Sequence, residues 1–336
     1  MNLPLFVIIP LFTAFLITLI AGKKDIWGIV LSLISTLVLL VLAVIGFFRV
    51  NGETLIYEVG GWNLPIGIVM VLDALSAFVL IIVNVVAVTA LLYSIQYIRH
   101  LSADWKYYAL FMLMLSGMNG VIITGDLFNL YVFMEIALLA AFALVAYGSH
   151  AQEFEAAFKY AIMGSVSSII ILLGIGVTYS AASSLTLAKI AQVLPEQQPQ
   201  LILWLGAIFL AGFGLKAAMM PFHAWLPDAH SSAPAPISSM LSGVLIKVLG
   251  IYVMIRLFFN IFDAPPILLG ILTIVGCISI VAAGLLSILQ WDLKRLLAYS
   301  SISQIGYILL GLGLGTPLAI LGAVFHLFNH AVFKSL

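Results

Sequence analysis

The stretch ISSMLSGVLIKVLGIYVMIRL, residues 237–257, decides how the rest of the chain is read. It is apolar over roughly the 20 residues a helix needs to cross a bilayer, yet Lys247 stands near its middle. An ammonium at that depth costs roughly 2.5–3.5 kcal/mol on insertion scales, and more in simulations of an isolated helix. Its four-carbon stem is too short to carry the charge easily to either interface. The expectation is a membrane helix whose lysine serves a purpose that offsets the cost.

Composition extends that reading to the whole chain. Of 336 residues, 64% are hydrophobic and 8% charged, and the mean hydropathy is +1.25, against roughly 25% charged residues in a soluble domain. The fold class is therefore all-α, a polytopic membrane protein embedded in the lipid bilayer. Net charge is zero and no basic or acidic run occurs, so nothing points to a nucleic-acid or polyanionic partner. The single cysteine, Cys277, lies in the apolar run LTIVGCISIVAAGLL, which leaves no disulfide framework and no cysteine-based metal site. The N-terminal MNLPLFVIIPLFTAFLITLIAGKKD lacks a positive first segment and a small-residue cleavage site, and reads as the first membrane helix.

Polar, proline and glycine punctuation divides the chain into about eleven spanning segments, at 3–21, 27–48, 69–93, 107–124, 127–147, 157–180, 201–220, 236–257, 267–289, 296–314 and 317–336. The longest connection, RVNGETLIYEVGGWNLPIG, carries an alternation that predicts a short hairpin outside the membrane. The run SSLTLAKIAQVLPEQQPQ predicts a short amphipathic helix and a polar linker. Odd-numbered connections hold Lys23, Lys24, Arg99, Lys106, Lys159, Lys294 and Arg295, and even-numbered ones hold Arg49, Lys189 and Arg256. Seven cations against three place the odd connections in the cytoplasm and the N-terminus outside.

Lys216, Lys247 and Lys334 belong to no connection; they fall within predicted spans. Glu135 falls near the middle of helix 5, with Asp126 at the start of that helix. An unpaired carboxylate in hydrocarbon takes up a proton, and a nearby lysine opposes this, so such a group holds or releases a proton according to its partner. The competing reading is a purely structural buried ion pair. Lys216 lies in the later part of helix 7, and the following GLKAAMMPFHAWLPDAHSSAPAPIS places Pro221, Pro227, Pro234 and Pro236 after it. Those prolines predict a broken helix, a common companion of charged sites in transporters. In helix 11, His326, His330 and Lys334 recur at i, i+4 and i+8 and share a face. That spacing suggests a proton relay. Two histidines one turn apart also suit zinc, but no carboxylate or cysteine accompanies them and Lys334 repels a cation, so no metal is expected. Ser300, Ser301, Ser303 and Gln304 of helix 10 suit water binding or close helix contact equally. Asp73 marks the outer end of helix 3. His223, Asp228 and His230 form either a solvated turn or a cytoplasmic proton entrance.

The runs GDLFNLYVFMEI, GLKAAMMPFHAWLPDAHSSAPAPIS, DLKRLLAYSSISQIGY and FHLFNHAVFKSL resemble the antiporter-like membrane subunits shared by respiratory complex I, membrane-bound hydrogenases and Mrp-type cation/proton antiporters. Within that family, GGWNLPIGIVMVLDALS and TGDLFNLYVFMEIALLAAFALVAYG look most like the D-type component of the Mrp Na+/H+ antiporter or its hydrogenase counterpart. The resemblance implies two five-helix units of inverted topology, each with a broken helix. Residues 1–105 would then hold helices 1–3, residues 106–258 the first unit, and residues 265–336 part of a second. Family members continue past an eleventh helix, so the chain, ending at FKSL, is expected to be truncated or a fragment with an incomplete second unit.

The resemblance further implies a proton path through Glu135, Lys216, Lys247, His326, His330 and Lys334, with Glu135 and Lys216 acting as a charge switch. Protons would be exchanged for sodium in an antiporter of the cell membrane, or driven by redox chemistry held in neighbouring membrane subunits. No flavin, nucleotide, haem or iron–sulfur motif is present, so no cofactor is expected on this chain and it is read as a transporter subunit rather than a redox catalyst. A transport-inactive scaffold is the contrasting class, and the insertion cost of these buried charges argues against it.

Overall fold

The computed structural model describes residues 1–20, 26–62, 67–98 and 104–335. A chain without water around it must satisfy its own backbone, and an apolar run does so as a helix. The helices are α1 (Leu5–Ile20), α2 (Ile26–Arg49), α3 (Ala74–Tyr97), α4 (Asp104–Ile123), α5 (Leu127–Val145), α6 (Ala151–Ala182), α7 (Leu187–Val193), α8 (Pro199–Lys216), α9 (Trp225–Ser232), α10 (Ala235–Ile261), α11 (Pro266–Ile288), α12 (Leu293–Gly313) and α13 (Pro317–Ser335). Among the described residues ten are long and apolar enough to cross a membrane, and α1, at 16 residues, is shorter. With α8 and α9 as the two parts of an interrupted seventh element, these make up the eleven segments expected. The amphipathic helix expected before the polar linker is α7, which buries Ile190.

Two helix starts differ from the sequence reading by five or more residues. The third span begins at Ala74 rather than at residue 69, because Val69–Leu72 form a strand, β2. It pairs antiparallel with β1 (Leu55–Glu58), Leu55 opposite Leu72 and Glu58 opposite Val69, which is the predicted hairpin. Periodicity cannot separate four apolar strand residues from the helix that follows. Asp73 marks the change: it accepts from the Ser76 amide at 2.9 Å while its own amide donates to Ser76 Oγ at 2.8 Å, a capping box. The sixth helix starts earlier than expected, at Ala151, where Glu153 takes the His150 amide at 2.9 Å. Asp126 and Asp292 cap α5 and α12 through their carboxylates, at 2.8 and 2.7 Å.

The ends of the helices sort into two groups. Gly125 donates to the Val69 carbonyl at 2.9 Å, Leu127 to Leu185 at 2.8 Å and Leu187 to Gly125 at 2.9 Å, which ties together the connections after α2, α4 and α6. At the other end, Tyr97, His150, Asp228, Asp292, Lys294 and Arg295 line one open cavity of about 1300 Å³. Successive spans thus alternate in direction. Lys23, Lys24 and Arg99, which contribute to the charge bias, lie outside the described residues.

Polar groups left over by the helices are matched across them. Pro10 lies within α1 and cannot donate to the Phe6 carbonyl; Asn119 of α4 does so at 3.2 Å, and Ser116 donates to the Val7 carbonyl at 3.0 Å. At the hairpin end, Arg256 clamps Asp73 at 2.5 and 2.6 Å and reaches Tyr252, whose hydroxyl donates to the Ile122 carbonyl at 2.6 Å. Burial raises the Asp73 carboxyl, but Arg256, helped by Ser76, outweighs it and lowers the group to about 2. The one described cysteine, Cys277, is exposed on α11 and free.

Candidate functional site

The interruption between α8 and α9 builds the first half of the site. Lys216 is the last residue of α8, not a residue within a continuous helix. Past it the backbone turns left-handed at Ala218, φ 54°, a conformation that costs a residue with a side chain about 1 kcal/mol. The groups freed by the turn are satisfied from outside it. Met220 donates its amide to Ser279 Oγ of α11 at 3.1 Å, and Trp225 donates its indole N–H back to the Leu215 carbonyl at 3.1 Å. Trp225 is held in turn by Tyr160 of α6, stacked at 4.4 Å between ring centres. The break is a built feature, with its polar groups paired.

Lys216, 4% exposed, does not turn to its own helix end. Its ammonium donates to the Gly164 carbonyl and to Ser168 Oγ of α6, each at 2.8 Å. Ser168 in turn makes a short hydrogen bond to Glu135 Oε1 of α5, and its Oγ also lies 2.9 Å from the Gly164 carbonyl. Among the described residues no ion pair joins Glu135 to Lys216. A serine hydroxyl stands between them. The two charged groups meet through that hydroxyl rather than directly. Ser168 is the residue that sequence reasoning missed, and its only local signal was the small-residue run GSVSS, 164–168, in an otherwise apolar helix.

Helix α10 carries the second half. It runs as π-helix over Leu241–Leu245, Lys247–Tyr252 and Arg256–Ile261, a form concentrated at functional positions. Lys247, 1% exposed, donates to the Ser242 carbonyl of its own helix, and no carboxylate among the described residues pairs with it. Its side chain borders a gap of about 10 Å³ with Val79 and Val83 of α3 and Leu327 of α13. Lys216 borders a similar gap, also about 10 Å³, with Leu245, Ile246 and Leu249 of α10. The two lysines thus face different sides of α10. Each gap is no larger than one water needs.

The histidines of α13 do share a face. The rings of His326 and His330 are parallel within 6° at 6.2 Å, and His326 Nε2 pairs with Gln304 Oε1 of α12 at 2.8 Å. His330 is fully buried, and neither ring nitrogen has a hydrogen-bond partner. Lys334 turns away to the Leu297 carbonyl at 2.8 Å. Ser301 meets Ser242 at 2.7 Å, linking α12 to the π-helical turn below Lys247, while Ser303 serves packing by donating to the Ile280 carbonyl at 3.1 Å. Among the described residues no three His, Cys, Asp or Glu side chains converge as a metal site.

The turn residues separate. Asp228 holds Lys159 of α6 and Arg295 of α12, each at 2.9 Å, at the rim of the large cavity. His230 is buried, with Nδ1 2.7 Å from Ser238 Oγ, and His223 Nδ1 is 3.3 Å from the Pro221 carbonyl.

A family profile described as "NADH:quinone oxidoreductase/Mrp antiporter, TM" matches residues 124–336, which include every group of the site. The chain belongs to this family. A second profile, "NADH-Ubiquinone oxidoreductase (complex I), chain 5 N-terminus", matches residues 57–114. The N-type component of the NADH-quinone oxidoreductase of Desulforudis audaxviator is 38% identical over 340 residues, covering 98% of this chain and 67% of that protein. The D-type component of the Na(+)/H(+) antiporter of Alkalihalophilus pseudofirmus is 34% identical over 294 residues, covering 85% and 58%. A chain of an archaeal membrane-bound sulfane sulfur reductase superposes with a TM-score of 0.94 at 33% identity, covering 99% of this chain and 69% of that one. A chain of the Mrp complex from Dietzia superposes at 0.93 with 27% identity, covering 99% and 62%. The chain thus spans about three-fifths to two-thirds of the length of these relatives. Antiporter-family and quinone-reductase-family proteins both stand among them, as the sequence motifs implied.

Proposed function

We propose that this chain is the proton-translocating part of an antiporter-type membrane subunit. Protons would move along an axis from Glu135 through Lys216 and Lys247 to His326, His330 and Lys334. The observation that carries the reading is the convergence of half-buried Glu135 and buried Lys216 on buried Ser168 beside a helix break. Attraction between the two charges favours ionised Glu135 and protonated Lys216; movement of either group away from the bridge releases a proton for the next station. Lys216 and Lys247 face different sides of α10, so the passage between them needs the π-helical segment to open to water.

The preferred setting is a multisubunit monovalent cation/proton antiporter of the cell membrane, with Na+ as the exchanged ion and other membrane subunits as neighbours. The Na(+)/H(+) antiporter relative supports it. The second reading, a proton-pumping subunit of a redox-driven complex, is favoured by the quinone oxidoreductase relative and the archaeal respiratory complex. In either, residues 106–258 form the first five-helix unit and 265–336 part of a second, after an N-terminal 1–105. Everted vesicles containing the assembled complex, followed with a pH-sensitive dye on addition of NaCl or KCl, test the site. Glu135→Ala is expected to abolish proton-coupled exchange while the protein stays inserted, and near-normal exchange would defeat the proposal.

A further inference from the structure

Ser168 occupies a position that neither the family resemblance nor the sequence motifs assign. Its Oγ is 2.8 Å from the Lys216 ammonium, bonded to Glu135 Oε1, and 2.9 Å from the Gly164 carbonyl. A hydroxyl has one proton to donate and lone pairs to accept with. An ammonium only donates, so the Lys216 contact fixes Ser168 as its acceptor. The hydroxyl proton is then left to go to Glu135 or to the Gly164 carbonyl, and it cannot serve both. Ser168 is itself 4% exposed, which leaves little room for bulk solvent to substitute for it.

We propose that Ser168 is the proton relay of the Glu135–Lys216 pair, a hydroxyl bridge that connects the two charges in one orientation and disconnects them in the other. This rests on the proton-path reading above. With the hydroxyl turned to Glu135, a proton passes in one concerted step. An N–H bond of Lys216 breaks as an O–H bond forms on Ser168, and the original O–H proton of Ser168 moves to Glu135 Oε1. Lys216 is left a neutral amine, Glu135 a neutral acid, and the hydroxyl is regenerated; the reverse step restores the charges. With the hydroxyl turned to the Gly164 carbonyl, no proton donor faces Glu135 and the exchange stops. Other titratable groups nearby are Tyr131, one turn before Glu135 on α5, and Tyr160 beside Lys216. From α10 the neighbours of Lys216 are the apolar Leu245, Ile246 and Leu249.

The test uses pH-difference infrared spectra of the purified complex together with vesicle transport. The band lost in Glu135→Gln assigns the Glu135 carboxyl. Ser168→Ala is expected to shift that band and to lower transport on the order of 100-fold, and Ser168→Thr, which restores a hydroxyl, to return both. Ser168→Cys keeps the volume with a weaker hydrogen bond and is expected to shift the band in the same direction, which covers the case of a poorly assembled alanine variant. A Glu135 band unmoved in Ser168→Ala or Ser168→Cys overturns the bridge, even if Glu135→Gln is inactive. A transport-competent Glu135→Gln instead overturns the proton path, whatever the band does. A purely packing role for Ser168 predicts lower yield with the band in place.

Discussion

At the scale of single residues, the buried cations behave differently from one another. Lys216 is engaged by two oxygens of α6, one of which leads to a carboxylate, whereas Lys247 is held by a carbonyl of its own helix and has no anionic partner among the described residues. Removing one partner of a buried ion pair strands the other and costs roughly 3–5 kcal/mol; removing Lys247 strands only a carbonyl. Lys247→Met, which roughly keeps the volume, is therefore expected to assemble at wild-type yield and to lose most transport. Lys247→Arg is expected to be inactive as well, since a guanidinium with a pKa above about 12 does not release its proton. Complex yield by size-exclusion chromatography and exchange in vesicles check both. An active arginine variant beside a poorly assembled methionine variant would mark Lys247 as a structural anchor.

At the scale of elements, the site depends on how closely α10 lies against the break after α8. Gly250 makes this approach possible: a Cβ there would come within 2.8 Å of the Ala217 backbone nitrogen and Cα, closer than real side chains come. Gly250→Ala must push α10 away from the break, and overpacking of this kind typically costs about 1–3 kcal/mol. A lower thermal midpoint of the purified complex is expected, with transport falling alongside it. Gly270→Ala on α11 is the control, because a Cβ there meets nothing within 4 Å; its midpoint should not fall. Equal behaviour of the two variants would show that the α10 contact is loose. The same logic governs α11 and α12, where a Cβ on Gly306 would sit 2.8 Å from the Gly276 carbonyl, so these backbones meet without side chains between them.

At the scale of the whole molecule, two ends can be distinguished, and the proposal that the cavity end faces the cytoplasm is open to direct measurement. In a Cys277→Ser background, a cysteine at position 294 is expected to react with an impermeant reagent only in everted vesicles, and one at position 57 in the β1 strand only in intact cells or right-side-out vesicles. Labelling of position 294 from the outside would invert the topology. The membrane class, the number of spans, the hairpin, the break after Lys216 and the standing of Glu135, Lys216 and Lys247 as unusual charges were legible in the sequence alone. All of these are local: hydrophobic length, turn chemistry and charge in an apolar run are written in contiguous residues. That Ser168 stands between Glu135 and Lys216, and that Lys216 and Lys247 border different sides of α10, came from the packing of the helices. Serine is tolerated in an apolar helix because it can bond its own preceding turn, so its further partner is set by which helices pack together. The π-helical turns on either side of Ile246 likewise belong to the folded backbone, since no local residue pattern in this apolar run marks them.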